Sequence, residues 1–328
     1  MADKKYPCIS PIGPDGLTNR RVWQRLMNYE EVHRMPYIHW KGWPETYERW
    51  HEEGLPKDVN EHEFFGTGPV AYGVGPNVGL YPAFEEEVLE ETDEYRIIRE
   101  SDGVLKKDWK HRSCIPHFIG FTLETAADWP KYKERLQPDP GRIPDDFQER
   151  LDRAEASGCP IRIGCGSMMG WIRNWMGVQN MSYLMFDAPE TYADMVETIS
   201  DLACWGIEQT VPRMEGAPDM GWSWEDICGK NGPLVSPALF DQLVAPGYRK
   251  VRETLEAHGV SFYGIDSDGK VKPLVGNWLR AGVNLQFPVE PGTWGATPER
   301  LREEFGRDLL IEGGFDKLAL EKSPEAID

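Results

Sequence analysis

The sequence predicts an α/β protein that folds as a (β/α)₈ TIM barrel, one domain over residues 1–328 with insertions near its N terminus. Beyond residue 145, short apolar runs alternate with helical patterns, and this alternation implies parallel strands joined by helical crossovers. The whole chain offers about eight strands, a count that favours a closed barrel over an open sheet. A doubly wound sheet is the alternative, but no Gly-x-Gly-x-x-Gly fingerprint follows the first strand.

The strands of the second half are short apolar runs that end at glycine, proline or an acidic residue. They occupy residues 161–164, 218–222, 261–265, 284–288 and 309–312. In the first half, a strand is predicted at 35–40, after a helix at 19–28. Residues 60–120 are less regular, and the runs at 95–98 and 104–105 predict hairpin-like insertions.

Local end signals delimit three helices. Residues 187–211 begin with Asp187 as the predicted N-cap, with a proline in the first turn. Residues 237–258 carry apolar side chains at helical spacing and end at Gly259, a typical C-terminal cap. A third helix is predicted over 299–306.

Composition excludes several classes of function. The chain carries 36 Lys and Arg against 55 Asp and Glu, a net charge of −19. That balance argues against a nucleic-acid or anionic membrane surface. No run of 18 apolar residues predicts a membrane span, and the N terminus lacks the apolar core of a signal peptide. The six cysteines form no Cys-x-x-Cys pair, which is typical of reduced thiols and predicts a cytoplasmic protein.

The strongest candidate site is the segment 264–269, Gly-Ile-Asp-Ser-Asp-Gly, between a strand and a helix. In an extended chain Asp266 and Asp268 point to the same side. Two carboxylates so close repel each other, so one pKa is expected to rise unless a cation or a donor intervenes. Acid–base work, substrate binding or cation binding would follow; the alternative is that Asp268 caps the next helix.

A second candidate is the loop 222–233, where acidic, basic and amide groups lie close together. Glu225 is a catalytic candidate, Lys230 and Asn231 are substrate-positioning candidates, and Trp222 is an apolar wall. Loops of this kind are where barrels place functional groups. The alternative is a self-bonded loop in which Asn231 is left-handed before a glycine.

Further candidates lie at other predicted strand ends. The glycine cluster at 164–170 would let a ligand approach the backbone, with Trp171 and Arg173 beside it. Cys165 in that cluster is interpreted as a buried, inert thiol rather than a nucleophile. The remaining substrate-binding candidates are His39, Glu290, Gly314 and Asp316. The alternatives are a structural role for His39, a loop salt bridge for Glu290 and a plain turn for Gly314 and Asp316.

Several stretches together resemble the uroporphyrinogen decarboxylase superfamily, which includes that decarboxylase and cobalamin-dependent methyltransferases. They are residues 19–36, 187–195, 232–237, 257–284 and the run from 313 to the end. Their order and spacing cover most of the chain. The resemblance implies a (β/α)₈ barrel, in agreement with the strand count, and makes a homodimer plausible.

The resemblance favours the methyltransferase side. The decarboxylases grip substrate propionates with an Arg-rich segment after the first strand, whereas residues 37–43 carry one lysine and no arginine. In the methyltransferases, a His-x-Cys pair binds zinc where this chain has Asp266 and Asp268. A pair of carboxylates lacks the sulfur ligand, so these residues would bind a harder cation or exchange protons.

The resemblance therefore implies methyl transfer between a small donor or acceptor and a corrinoid (cobalamin) held by a separate carrier protein. A tetrahydrofolate-type pterin is a candidate acceptor. Decarboxylation of a porphyrinogen or a smaller carboxylate is the alternative, with Lys41, Arg173 or Lys230 as the cation. A non-catalytic ligand-binding barrel is the third. Residues 323–328 are typical of a helix start, so a longer C terminus is expected.

Overall fold

The computed structural model describes residues 6–36, 42–69, 71–214, 216, 218–323 and 325. Its strands are β1 Tyr72–Gly73, β2 Glu87–Glu91, β3 Tyr95–Arg99, β4 Leu105–Trp109, β5 His117–Gly120, β6 Ile161–Gly164, β7 Met220–Trp224, β8 Cys228–Gly229, β9 Gly232–Pro233, β10 Tyr263–Asp266, β11 Leu285–Val289 and β12 Leu310–Gly313. Six of them form a central sheet in the order β1-β6-β7-β10-β11-β12. Every pairing in that sheet is parallel.

Helices connect and cover these strands. They are α1 Asn19–Met27, α2 Pro44–Glu53, α3 Glu61–Phe65, α4 Trp129–Lys133, α5 Phe147–Ser157, α6 Gly170–Asp187, α7 Pro189–Thr210, α8 Pro237–Leu243, α9 Ala245–Ala257, α10 Lys272–Arg280, α11 Pro291–Trp294 and α12 Pro298–Phe305. The crossovers between parallel strands are helical, as the alternation predicts.

The two faces of the central sheet bury different side chains. The helix-facing side packs residues such as Ile163, Tyr263 and Ile265 against α7, α9 and α10 in the larger core. The opposite side packs Trp222 and Phe287 with Trp23 from α1 in a smaller core. Successive side chains of a strand point to opposite faces of the sheet. Because both faces of this sheet are covered by apolar groups, these strands are nearly continuous hydrophobic runs.

The strand predictions of the second half are confirmed, with ends shifted by no more than two residues. The predicted strand at 35–40 falls largely outside the described residues, so an eight-stranded closed barrel stays a prediction. Within the described part of the chain, β1 and β12 form the two edges of the central sheet. The irregular region contains an antiparallel sheet, β2-β3-β4-β5, which includes both hairpin-like runs.

Two helix predictions require correction. Asp187 is not an N-cap, because it is the last residue of α6, and Ala188 precedes α7. The helix predicted over 237–258 is two helices, since Pro246 interrupts the backbone hydrogen bonding after α8. Its C-terminal cap at Gly259, with φ +78°, is confirmed.

Two further expectations concern the whole chain. Among the described residues, no helix combines the length and apolar character needed to cross a bilayer. All six cysteines are free thiols, and Cys165, within the glycine cluster at 164–170, is buried. Burial raises the pKa of Cys165 to about 12, so it is a poor nucleophile at neutral pH.

The face of the central sheet that packs against Trp23 of α1, called the inner face below, leaves no room for a side chain at Gly264. A Cβ atom there would lie 2.6 Å from the Trp222 ring, which leans across from the neighbouring strand. We expect Gly264→Ala to lower the free energy of unfolding by about 1–3 kcal/mol through overpacking. Gly276→Ala, inside α10 with a nearest contact of 3.4 Å to a flexible arginine, is the control and should stabilise slightly. Equal effects in urea denaturation would contradict this account.

Candidate functional site

A cavity of about 430 Å³ opens at the carboxyl ends of β7, β10, β11 and β12. Functional groups of parallel α/β folds lie at this edge. Four carboxylates line the cavity, those of Asp226, Asp266, Asp268 and Glu290. The remaining lining residues are Trp224, Phe287, Pro288, Val289, Gly313, Gly314, Phe315 and Lys317. The cavity therefore combines acidic groups with aromatic walls.

Glu225 lies beside this cavity, outside its lining, and holds the surrounding loops. Its carboxylate accepts hydrogen bonds from the backbone N–H groups of Met168 at 2.6 Å, Met169 at 2.9 Å and Gly170 at 2.6 Å. The hydroxyl of Tyr248 in α9 donates a further bond at 2.5 Å. Burial raises the pKa of Glu225 above its ordinary value, although the hydrogen bonds from Tyr248 and from these N–H groups act in the opposite direction. Its oxygens satisfy N–H groups at the start of α6 that lack partners within the helix. The fully buried Glu225 is thus a positioning residue rather than the catalytic group that the sequence suggested.

Of the two neighbouring acidic residues Glu225 and Asp226, it is Asp226 whose side chain lines the cavity. It has a left-handed backbone with φ +50°, which aspartate tolerates better than most residues. Its carboxylate accepts a hydrogen bond from the Asp268 N–H at 3.0 Å, and its own N–H donates to the Asp266 carbonyl at 3.2 Å. Sequence reasoning chose its neighbour, Glu225, because the pattern gives no signal for which of two adjacent acids turns inward.

Asp266 and Asp268 lie in one cavity, and each is affected by the other acidic groups. Burial, followed by the charges of Asp226 and Asp268, raises the pKa of Asp266 to about 7. Burial and the charges of Asp226 and Glu290 raise the pKa of Asp268 to about 6. Neither is an N-cap, since α10 begins only at Lys272. A carboxyl group with a pKa near neutrality can hold or release a proton under ordinary conditions.

Glu290 is tied in place by three donors. The Lys317 ammonium forms an ion pair with it, the Trp294 indole N–H donates at 2.8 Å, and the Gly269 N–H donates at 3.2 Å. These hydrogen bonds lower the pKa of Glu290 despite its partial burial. Glu290 therefore remains ionised, and its negative charge is balanced by Lys317.

The inner face of the sheet holds two ionisable residues that sequence reasoning missed, the partly buried Arg162 and the buried Glu312. Arg162 in β6 lies with its guanidinium 5.0 Å from the centre of the Trp222 ring. Glu312 in β12 accepts a hydrogen bond from the Trp23 indole, and its second oxygen has no partner among the described residues. The signal was available, because a charged residue inside a short apolar strand run is unusual.

Arg173 and Trp171 belong to an adjoining slot. The Arg173 guanidinium stacks 5.2 Å from the centre of the Trp224 ring and donates to the Asp226 carbonyl. Trp171 lines a cavity of about 320 Å³ that also includes Trp175 and Trp224. Trp224 thus borders both cavities, and Arg173 supports it without lining the acidic one.

The structure disperses the other predicted residues. Trp222 is buried in the inner core, below the cavity lining. Lys230 and Asn231 are exposed at the tip of the β8–β9 hairpin, and Asn231 is not left-handed. Gly314 lines the acidic cavity, whereas the Asp316 carboxylate accepts a bond from the Leu318 N–H, away from the lining. His39 and Lys41 lie outside the described residues.

Metal binding finds no geometric support here. Within the part of the chain that the structure describes, no group of three or more His, Cys, Asp or Glu residues is arranged to hold a metal ion. Asp226, Asp266 and Asp268 share a cavity without converging on one point. The cluster is therefore better suited to proton exchange or to binding an organic cation than to coordinating a metal.

Fold and site together define a parallel α/β protein with an acidic, aromatic-walled site at the strand ends. No protein-family profile matches the chain. It is 23% identical over 178 residues to a uroporphyrinogen decarboxylase from Syntrophotalea carbinolica, a match that covers 52% of this chain and 46% of that protein. The chain thus aligns with less than half of that relative's length.

A solved structure of a methyltransferase from Methanosarcina mazei has a similar fold. The TM-score is 0.53 at 15% sequence identity, over 90% of this chain and 82% of the methyltransferase. At this identity the likeness is one of fold. The sequence similarity is thus to a uroporphyrinogen decarboxylase and the similarity of fold is to a methyltransferase, the two kinds of protein that the sequence motifs resemble.

The hydrogen bonds to Glu225 predict a large effect of its substitution on stability. Glu225→Gln places an amide NH₂ opposite backbone N–H donors, so buried donors lose their acceptor. We expect the free energy of unfolding to fall by about 3 kcal/mol. Glu303→Gln, on an exposed face of α12, is the control and should change it by less than about 0.5 kcal/mol. Similar losses of unfolding free energy in both variants would show that the hydrogen bonds to Glu225 do not stabilise the fold.

The raised pKa of Asp266 predicts that this residue destabilises the fold at high pH. The folded carboxyl keeps its proton to about pH 7, while an unfolded one loses it near 3.8, so stability falls as pH rises between those values. Allowing for partial exposure, we expect Asp266→Asn to raise the free energy of unfolding by about 2 kcal/mol at pH 8 and by little at pH 4. Denaturation at both pH values tests this, with the exposed Asp58→Asn as control. A gain independent of pH would contradict it.

Proposed function

We propose that this protein transfers a methyl group from a small donor to a corrinoid on a separate carrier protein. In this proposal Asp266 protonates the atom that the methyl group leaves. The observation that carries the proposal is the Asp266 carboxyl, which lines the strand-end cavity with a pKa of about 7. Such a group is part protonated at neutral pH and can act as a general acid.

The chemistry of methyl transfer creates the need for a proton donor. When a methyl group leaves nitrogen, oxygen or sulfur, the electron pair of the broken bond stays on that heteroatom. A proton from Asp266 neutralises the developing basicity, and Asp266 becomes a carboxylate. Asp226 and Asp268 raise the proton affinity of Asp266, so they act as positioning residues that keep the acid loaded. General acid catalysis of this kind contributes about 10²–10⁴-fold.

A corrinoid would supply the cobalt nucleophile that accepts the methyl group. The rim of the cavity can meet the flat face of such a group, because Phe315 lines the cavity and has 52% of its surface exposed. The slot beside it, bordered by Trp171, Trp175 and Trp224, extends the aromatic surface. Exposed apolar rings at a concave mouth are typical of sites that receive a partner or a large ligand.

Decarboxylation is the second candidate, because the chain is similar in part to a uroporphyrinogen decarboxylase. A substrate carboxylate needs a cation, preferably a bidentate arginine. In the described lining, the one cation is Lys317, which is paired with Glu290, and the lining also contains four carboxyl groups. This charge distribution repels a polyanion and favours the methyl-transfer proposal.

The proposal is tested by methyl transfer to reduced cobalamin, followed by visible absorbance with a panel of methyl ethers, thioethers and amines. We expect activity with at least one donor, which Asp266→Asn lowers by about 10²-fold or more. Activity should fall as pH rises through about 7, because Asp266 then loses its proton. Asp58→Asn, a substitution at an exposed position far from the cavity lining, should leave the rate unchanged.

The same preparations separate the two candidates. Absence of methyl transfer from every donor, together with release of carbon dioxide from a carboxylate substrate, would overturn the proposal in favour of decarboxylation. Methyl transfer that is unaffected by Asp266→Asn and has no pH dependence near 7 would remove Asp266 from the mechanism.

A further inference from the structure

We propose that the donor bound in this cavity is a methylated ammonium ion, a small organic cation with methyl groups on positively charged nitrogen. This inference rests on the proposed function and narrows its substrate class. It follows from the walls, the charges and the size of the cavity taken together.

The walls suit a cation with an apolar surface. Three aromatic rings from different segments line the cavity, those of Trp224 at the end of β7, Phe287 in β11 and Phe315 after β12. The negative face of an aromatic ring attracts a cation within about 6 Å of its centre, and quaternary ammonium groups are recognised in this way. Trp224 already accepts one cation, because the Arg173 guanidinium lies 5.2 Å from the centre of its ring.

The charges suit a cation as well. The described lining contains four carboxylates and one ammonium, and that ammonium is paired with Glu290. Asp226, Asp266 and Asp268 have no cationic hydrogen-bond partner among the described residues. Behind the lining, on the inner face, the Arg162 guanidinium offsets part of the charge of Asp266 and of the buried Glu312. The carboxyl groups of the lining outnumber its one ammonium, so this cavity favours a cation over an anion.

A metal ion is the competing cation, and the geometry argues against it. The described residues hold no cluster of three ligating side chains, and hard metals require several oxygen ligands at short range. Aromatic rings offer such an ion no ligands. An ammonium ion covered by methyl groups needs only diffuse negative charge and apolar contact, which is what this cavity supplies. Its volume of about 430 Å³ is within the usual range of small-molecule sites, about 300–1,000 Å³.

The reaction balances with this substrate. The bond between nitrogen and one methyl carbon breaks, its electron pair stays on nitrogen, and the methyl carbon bonds to the nucleophilic acceptor. The neutral amine so formed takes the proton of the Asp266 carboxyl and leaves as an ammonium ion, while Asp266 becomes a carboxylate. Protonation prevents the amine from attacking the methyl group again.

The experiment is calorimetric titration of the full chain with choline and with 3,3-dimethylbutan-1-ol, its neutral isostere in which carbon replaces nitrogen. No corrinoid is present. We expect choline to bind at least about tenfold more tightly than the isostere. Trp224→Leu and Asp268→Asn should each weaken choline binding by about tenfold. Trp43→Leu and Asp58→Asn, at exposed positions away from the lining, are the matched controls and should not.

Phe315→Leu keeps the test decisive if Trp224→Leu fails to fold, because Phe315 is half exposed. Equal binding of choline and its isostere, or no binding of either, would overturn the inference. Unchanged choline binding in both ring variants would overturn it as well. Methyl transfer from ethers without choline binding would leave the proposed function standing and sink this inference. If choline binds more tightly than its isostere and the variants weaken that binding, but no methyl group is transferred to any acceptor, the ligand class would stand and the proposed function would be overturned.

Discussion

The buried carboxylate of Glu225 connects the end of β7 to the first turn of α6 and to Tyr248 of α9. Three backbone N–H groups and two hydroxyls, those of Ser167 and Tyr248, donate to this one buried carboxyl group, where an unpaired donor would be costly. This connection fixes the path of the chain at residue 225. The next residue can then adopt a left-handed conformation and direct its carboxylate towards the β10 loop. The geometry of the acidic cavity therefore depends on a residue that does not line it.

Repulsion between the neighbouring carboxyl groups of Asp226, Asp266 and Asp268 opposes folding. Short loops at the ends of β7 and β10 nevertheless keep these groups together in a partly buried cavity. Besides burial, the charges of Asp226 and Asp268 raise the pKa of Asp266, and those of Asp226 and Glu290 raise the pKa of Asp268, so part of the cluster is neutral near pH 7. Hydrophobic contacts on both faces of the sheet provide the stability that tolerates this arrangement. Arrangements that disfavour the folded state while tuning proton affinity are typical of functional sites.

Sequence patterns predicted the elements whose signals are local. The strands of the second half, the helix at α1 and the cap at Gly259 follow from apolar periodicity and end residues. The pairing of Asp266 with Asp268 in one cavity follows from strand alternation. The assignments of Glu225, Lys230 and Asn231 depended on how a loop folds back, and this is set by contacts with α6, α9 and β10 that no local pattern encodes.

Three consecutive residues divide the work at the end of β7. Trp224 borders the cavity, Glu225 turns away to hold the helices, and Asp226 returns to the cavity through its left-handed backbone. The holding group, Glu225, does not line the cavity, whereas the residues on either side of it do. A fold of this type can thus support decarboxylation in one protein and methyl transfer in another. In the proposed function the residues at 224, 226, 266 and 268 determine the chemistry, because they supply aromatic and acidic groups where an anionic substrate would require cations.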